Sequence, residues 1–235
     1  MLDFLELFFL IYSVFTSCYI FSVVIVDTFK FLEYNGDDRE TEIVNYIESS
    51  KIVLYNIFVI APFYLLFYTF ILIYGFYGLI PYCNYIYVYD YNASFNFFNE
   101  LINVIISFVS LEIFFYCYHR YLHYNKYLYK HIHKLHHKYS VSVYGIHSQY
   151  CTVIEFILNL ISMTLGTMLV QHHIITILLQ SGFMIIVNVL GHTTNEFSLF
   201  GKVIYSTKKH NDHHLLLNVN YGLLSICDKL FKTYK

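Results

Sequence analysis

The chain has 235 residues, of which 57% are hydrophobic and 21% aromatic, but only 13% are charged, with a formal net charge of -2 at pH 7. Soluble domains carry about 25% charged residues, so this chain has too little polar surface to cover a water-facing body, and its 9 Gly and 2 Pro exclude a collagenous or disordered chain. A membrane protein remains, and the near-neutral charge gives no general reason to expect nucleic-acid binding.

In chain order, residues 7–26 form a run of 20 without a charge, long enough to cross a hydrocarbon core of about 30 Å at about 1.5 Å per residue. Asp3 and Glu6 stand where a cleavable signal peptide would be basic, so this run reads as a retained span. Residues 27–51 hold seven acidic and three basic side chains and predict a solvated loop or short surface helix. Residues 52–89 are 38 without a formal charge: one long span and a partly immersed return segment, broken near Gly75, Gly78 and Pro81. A third span covers about residues 101–118, with Glu112 inside it. Residues 156–195 are 40 more without charge, interrupted by Gln171, His172 and His173, and predict two apolar helices in a hairpin.

The hairpin decides the architecture. Two antiparallel passes return the chain to the face it left, so residues 119–150 and 192–235 share one side. They carry 11 of the 14 Lys and Arg, among them Arg120, Lys126, Lys134, Lys138, Lys232 and Lys235, which by the positive-inside rule makes that side cytosolic. Residues 27–51 fall there too. The expected fold is all-α: a polytopic membrane helical bundle with a cytosolic histidine-rich metal-binding cap. Cys18, Cys83, Cys117, Cys151 and Cys227 lie far apart without a C-x-x-C pair and read as reduced thiols that act as small hydrophobes. Metal chemistry must use other ligands.

All 13 histidines lie between His119 and His214. His119 and His123 are four apart at the end of the third span and so project from one helical face. His133, His136 and His137 repeat the i, i+3, i+4 spacing, and so do His210, His213 and His214. Eight imidazoles on one membrane face, each with an ordinary pKa of about 6.5, would be electrostatically poor company unless they bind a cation as neutral ligands. They suffice for two metal ions with about four nitrogens each, and imidazole suits Zn, Cu, Fe and Ni alike. No H-E-x-x-H is present, so a zinc-protease mechanism is not supported.

These three boxes, with only nine residues between the first two, resemble the fatty acid hydroxylase superfamily, which includes sterol C-5 desaturases, C-4 methylsterol oxidases and sphingolipid hydroxylases. The resemblance covers about residues 111–234. The tail, with Leu215, Asn218, Val219, Asn220, Tyr221, Gly222, Asp228, Leu230, Thr233 and Tyr234, is most similar to the sterol C-5 desaturase branch. His192 sits where the family has a further histidine, a ninth candidate ligand. Where the family shows a His-Pro pair ahead of an acidic residue, this chain has Thr152, Val153, Ile154 and Glu155, with His147 as a possible substitute. His131, His172 and His173 match no box; the last two mark the far turn of the hairpin.

The resemblance implies a catalytic domain over residues 101–235, preceded by membrane segments and a loop over residues 1–100. It implies two non-haem iron ions, held by His119, His123, His133, His136, His137, His192, His210, His213 and His214, with dioxygen as oxidant. Two electrons come from NAD(P)H through cytochrome b5 and its reductase in the endoplasmic reticulum. The expected activity is oxidation of a lipid, with sterol C-5 desaturation ahead of hydroxylation of fatty acyl or sphingoid chains. Asp212, Asp228 and Glu155 are candidates to orient imidazoles, and Glu112 is too costly at membrane depth to be idle. A non-catalytic metal-binding or transport protein is the rival from another class, but a transporter would place histidines within several spans near the midplane.

Overall fold

Each long uncharged run satisfies its backbone as a helix, the form a single segment can take in hydrocarbon. The computed structural model describes residues 3–33, 39–74, 94–140, 144–170, 172–193, 198–199 and 205–235. The predicted break at Gly75, Gly78 and Pro81, the return segment, Cys83 and Gln171 lie outside the described residues. Helix α1 is Phe4–Glu33. Helix α2 is Arg39–Tyr74, with a π-helical turn at Asn56–Ile60. Helix α3 is Phe97–Tyr124, α4 is Val153–Leu169 and α5 is Ile174–Gly191. Short helices α6, Thr207–Leu216, and α7, Ile226–Leu230, follow. The only extended pairing among the described residues joins Ser198 to Ser206 and Leu199 to Tyr205. The all-α expectation holds.

Helices α1, α2, α3 and α5 are each long and apolar enough to cross a membrane, and α4 is a shorter apolar helix of 17 residues. The protein is an integral membrane protein. Large side chains such as Phe21, Phe63, Phe98 and Leu179 point out of the bundle, as lipid-facing positions should. Residues 27–51 are helical where described: α1 continues to Glu33, and α2, mostly exposed up to Lys51, starts at Arg39; the departure from a solvated segment is Asp27, which is buried.

The stripe Leu7, Ile11, Phe15, Tyr19 and Val23 on α1 repeats every four residues, one face of a helix. It meets Val53, Ile57, Ala61, Leu65 and Tyr68 of α2 and Ile177, Ile185 and Val189 of α5 in a single core. Despite being consecutive, α4 and α5 lie mainly against other helices, α4 on α3 and α5 on α1. Gly166 explains the α3–α4 contact: a Cβ there would sit 2.2 Å from the Ser107 Cα, the close backbone approach that small residues permit in membranes. Tyr68 and Thr167 share a hydrogen bond of 2.6 Å between α2 and α4. The hairpin thus brings the ends of α3 and α5 to one side, with residues 144–149 and the tail beside them. Lys138 pairs with Glu48 at 3.5 Å, which puts Glu48, in the first part of α2, on that same side.

Candidate metal centre

Asn96 starts α3 by accepting the Asn99 amide at 3.1 Å, and the helix carries His119 and His123 on its last turns. Asn125 then caps the next turn, accepting from Tyr127 and Leu128 amides, and the chain reverses through a π turn at Tyr129–His133 and a 3-10 turn at His136–Tyr139. The second box is therefore not on one regular helical face as predicted. The box divides between two groups, His133 and His137 in one and His136 in the other. His119, His123, His133, His137 and His213 form one; His136, His192, His210 and His214 form the other, with ligand atoms in each group within 4.8 Å of one another. The third box divides likewise. All nine predicted residues are brought together, and the groups abut, with the rings of His137 and His214 4.5 Å apart.

Four imidazoles turn Nδ1 outward to an acceptor. His119 donates to the Tyr221 carbonyl at 2.7 Å, His213 to the Val219 carbonyl at 2.7 Å, and His192 to the Asn188 carbonyl at 2.9 Å. His133 donates to Glu155 Oε1 at 2.7 Å. Each such ring, when neutral, carries its lone pair on Nε2, facing inward. Yet His119 Nε2 lies 3.1 Å from His133 Nε2, and His133 Nε2 lies 2.8 Å from both His123 Nε2 and His137 Nε2. In the second group His192 Nε2 lies 3.3 Å from His136 Nε2 and 3.0 Å from His210 Nε2, and His210 Nε2 lies 3.0 Å from His214 Nε2. Facing lone pairs repel unless a cation lies among them.

Protonation does not relieve the crowding. Burial, reinforced by neighbouring imidazoles, pushes His136 down to about 3 and lowers His137, His210 and His214 well below the ordinary value. Burial alone accounts for most of the shift of His133 and His213 to about 3 and of His192 to about 4. The rings are neutral near pH 7 and fit a divalent metal. An imidazole–metal bond of about 2.0–2.1 Å places cis ligands about 2.9–3.4 Å apart, the range of the nitrogen contacts here. His213 Nε2 and Glu155 Oε2 are buried without a hydrogen-bond partner, and both belong to this site.

The model of the Fatty acid hydroxylase family matches residues 104–233. The chain belongs to the fatty acid hydroxylase family. It is 30% identical over 123 residues to "Fatty acid hydroxylase domain-containing protein 2" of Homo sapiens, a match covering 52% of this chain and 35% of that protein. "Fatty acid hydroxylase ahd1" of Mycosarcoma maydis is 31% identical over 125 residues, 53% of this chain and 31% of that one. A protein named "Putative methylsterol monooxygenase" of Dictyostelium discoideum is 29% identical over 142 residues, 57% of this chain and 51% of that one. The matches span about a third to a half of these relatives' length. No solved structure matches the chain.

The start of α4, which has no His-Pro pair, is held by a hydroxyl group. Thr152 caps α4 by accepting the Glu155 amide at 3.4 Å and donates its hydroxyl to the Ile132 carbonyl at 3.0 Å, which ties the start of the hairpin to the neighbour of His133. His147 joins neither group. It accepts the Tyr144 amide at 3.2 Å and stacks on Tyr139. Glu155 orients an imidazole as predicted. Asp212 has no hydrogen bond to an imidazole among the described residues. His131 is exposed, with its ring against Tyr127, and His173 caps α5 at the far turn. His172 is at that turn too but is buried, 2.9 Å from the Ser107 hydroxyl.

The tail braces the imidazoles. Asp228 is wholly buried rather than salt-bridged at the surface, and accepts the Tyr221 and Gly222 amides at 2.8 and 2.7 Å and the Thr233 hydroxyl at 2.7 Å. Glu112, inside α3, accepts the Leu224 and Cys227 amides at 2.7 and 3.0 Å. Gly222 fits between these carboxylates: a Cβ would lie 2.5 Å from Glu112 Oε1 and 2.9 Å from Asp228 Oδ2. Asn220 takes φ 52°, a left-handed conformation that Asn tolerates. The chain here makes a tight, hydrogen-bonded turn, and it presents the Val219 and Tyr221 carbonyls to His213 and His119.

Two supports were not anticipated. Asp27 of α1 accepts the Gly145 and Ile146 amides, and Asn56, in the π turn of α2, donates to the Gln149 and Cys151 carbonyls, both at 3.1 Å. The available signal was a polar residue at or within an otherwise uncharged run, which at membrane depth needs a partner.

Proposed function

We propose that the nine histidines hold two iron ions and that the protein oxidises a lipid carbon–hydrogen bond with dioxygen. The observation that carries this reading is the pair of abutting, all-imidazole groups into which His119, His133, His213 and His192 each turn an Nε2 lone pair, with those of His119 and His133 3.1 Å apart. When bound, such a reduced metal pair supplies the oxidising power that acid–base side chains lack. The balance is one C–H bond, one dioxygen, two electrons and two protons, giving a hydroxyl group and water. This chain's residues set the imidazole tautomers, through Glu155 and the Val219, Tyr221 and Asn188 carbonyls, and limit water around the metals. A void of about 20 Å³ bordered by His119, His133, His136 and Glu155 shares Phe115, Asn159 and Asn188 with one of about 30 Å³ between α3, α4 and α5. A lipid carbon would reach the metals from there.

Hydroxylation is the reading we favour. The tail that carried the resemblance to sterol C-5 desaturases acts as a ligand brace, a role that any substrate would need, so C5 desaturation of a sterol is the second reading, supported by that tail alone. We propose cytochrome b5, reduced by NAD(P)H through its reductase, as the electron donor, and an endoplasmic reticulum location with the histidines cytosolic; the support is the concentration of Lys and Arg on the histidine side. We also propose residues 101–235 as the catalytic unit and residues 1–100 as its membrane scaffold, since every ligand lies after residue 100 while Asp27 and Asn56 hold the chain that leads to Glu155.

The test is paired. Protein prepared with iron should hold about two metal atoms per chain, and lipid extracts incubated with it, NAD(P)H, cytochrome b5 and dioxygen should gain a hydroxylated lipid that His213→Ala protein does not produce. Gain of a C5 double bond in a sterol instead selects the second reading. Two metals with no oxidised lipid in any extract would favour a metal-binding protein over an enzyme.

A further inference from the structure

Helices α3 and α5 run parallel from the far side to the histidines, and their seam contains a cavity of about 390 Å³ far from the metal centre. Its walls include Leu101, Val104, Phe108, Leu179, Gln180 and Phe183, and exposed Leu101, Leu179 and Phe183 open it to lipid. Leu101 precedes His119 by eighteen helical residues, about 27 Å. Toward the metals the cavity ends at the edge-on contact of Phe108 with Phe183, ring centres 6.1 Å apart; the smaller voids lie beyond, at Leu111 and Met184 and then at Phe115 and Asn188. The volume lies within the range of small-molecule sites, about 300–1,000 Å³.

Three lining side chains are polar, Glu100, Thr176 and Gln180. Gln180 is 7% exposed, and its Oε1 is buried with no hydrogen-bond partner. An acceptor left bare in hydrocarbon is costly and marks a place for a donor. At the far end Glu100 Oε2 is also buried without a hydrogen bond, 3.5 Å from His172 Nδ1, while Oε1 accepts the His173 amide at 2.9 Å. No metal-binding histidine borders this cavity, and the metal reading leaves it unexplained.

We propose that this cavity is a separate lipid-binding subsite for an apolar molecule bearing a hydroxyl group, the hydroxyl donating to Gln180 Oε1. A plain hydrocarbon would fill the walls but leave Gln180 bare, so the site prefers an alcohol. A long-chain alcohol and a sterol share this chemistry.

Metal-free protein in detergent tests the subsite independently of the proposed activity. The probes are a diazirine-bearing long-chain alcohol, its hydroxyl-free hydrocarbon counterpart, and a diazirine sterol with and without its hydroxyl. Photolabelling by an alcohol should fall on α3 residues before Leu111 and on the first half of α5, at about three- to tenfold the yield of its counterpart, the worth of one hydrogen bond. Gln180→Met should equalise the yields without reducing metal uptake. Should that variant not fold, competition on the unaltered protein decides, since unlabelled alcohol should displace the probe about three- to tenfold better than unlabelled hydrocarbon. Preference for one alcohol identifies the ligand's source. Equal labelling with and without hydroxyl, or a preference that survives in Gln180→Met, overturns the proposal.

Discussion

Replacing Glu155 tests whether the inward lone pairs are the organising feature of the centre. In Glu155→Leu, the His133 Nδ1 proton loses its acceptor at 2.7 Å in a site where His133 is 1% exposed, and the ring is no longer held in the tautomer that presents Nε2 to His119, His123 and His137. Loss of such an outer partner costs about 10–100-fold in metal affinity, or about 1.4–2.8 kcal/mol, comparable with leaving one buried donor unsatisfied, about 1–3 kcal/mol. Glu155→Gln keeps an acceptor at that position and should fall between. The assay is titration of metal-free protein with Zn²⁺ or Co²⁺ against a chromophoric chelator, with metal counted per chain. The weakened site should be the one of His119, His123, His133, His137 and His213, while the site of His136, His192, His210 and His214 keeps its affinity. If Glu155→Leu binds both metals within about threefold of the unaltered protein, an effect below about 0.7 kcal/mol, the tautomer argument fails.

Gly222→Ala forces a methyl group against Glu112 and Asp228, an overpacking of about 1–3 kcal/mol; weaker metal binding in the same group as His119 and a lower melting temperature are expected, and an unchanged melting temperature refutes the brace. His172→Ala should lower thermal stability by about 1–3 kcal/mol by stranding Ser107 yet leave the metal content at that of the unaltered protein; loss of metal would contradict the far-side placement. Acidification should destabilise the metal-free protein. Folded His133, His136, His192 and His213 titrate at about 3 to 4, whereas unfolded histidine titrates near 6.5. Between those values the unfolded state binds more protons, so stability falls with pH at up to about 1.4 kcal/mol per unit for each imidazole. Melting temperatures from pH 7 to pH 5 check this, and a flat profile in metal-free protein would show that these rings are not buried as neutral bases.

The family, the membrane architecture and all nine grouped histidines were legible in the sequence, because hydrophobic length, histidine spacing and hairpin topology are properties of order along the chain. A twenty-residue uncharged run has few fates, and two returning helices must bring His192 to the side of His119. The division of ligands was not legible. That His137 joins His213 while its neighbour His136 joins His214 depends on how the segments pack against one another, since the same i, i+4 against i+3 split occurs in the irregular second box and on the regular helix α6. The roles of Asp27, at the end of a span, and of Asn56, within an apolar run, were not legible either, since their partners lie 118 and 93 residues away. The tail shows the same limit. Its asparagines and Gly222 announced a turn, but only the packed structure set the turn's carbonyls on two imidazoles, because hydrogen-bond partners distant in sequence are chosen by the fold.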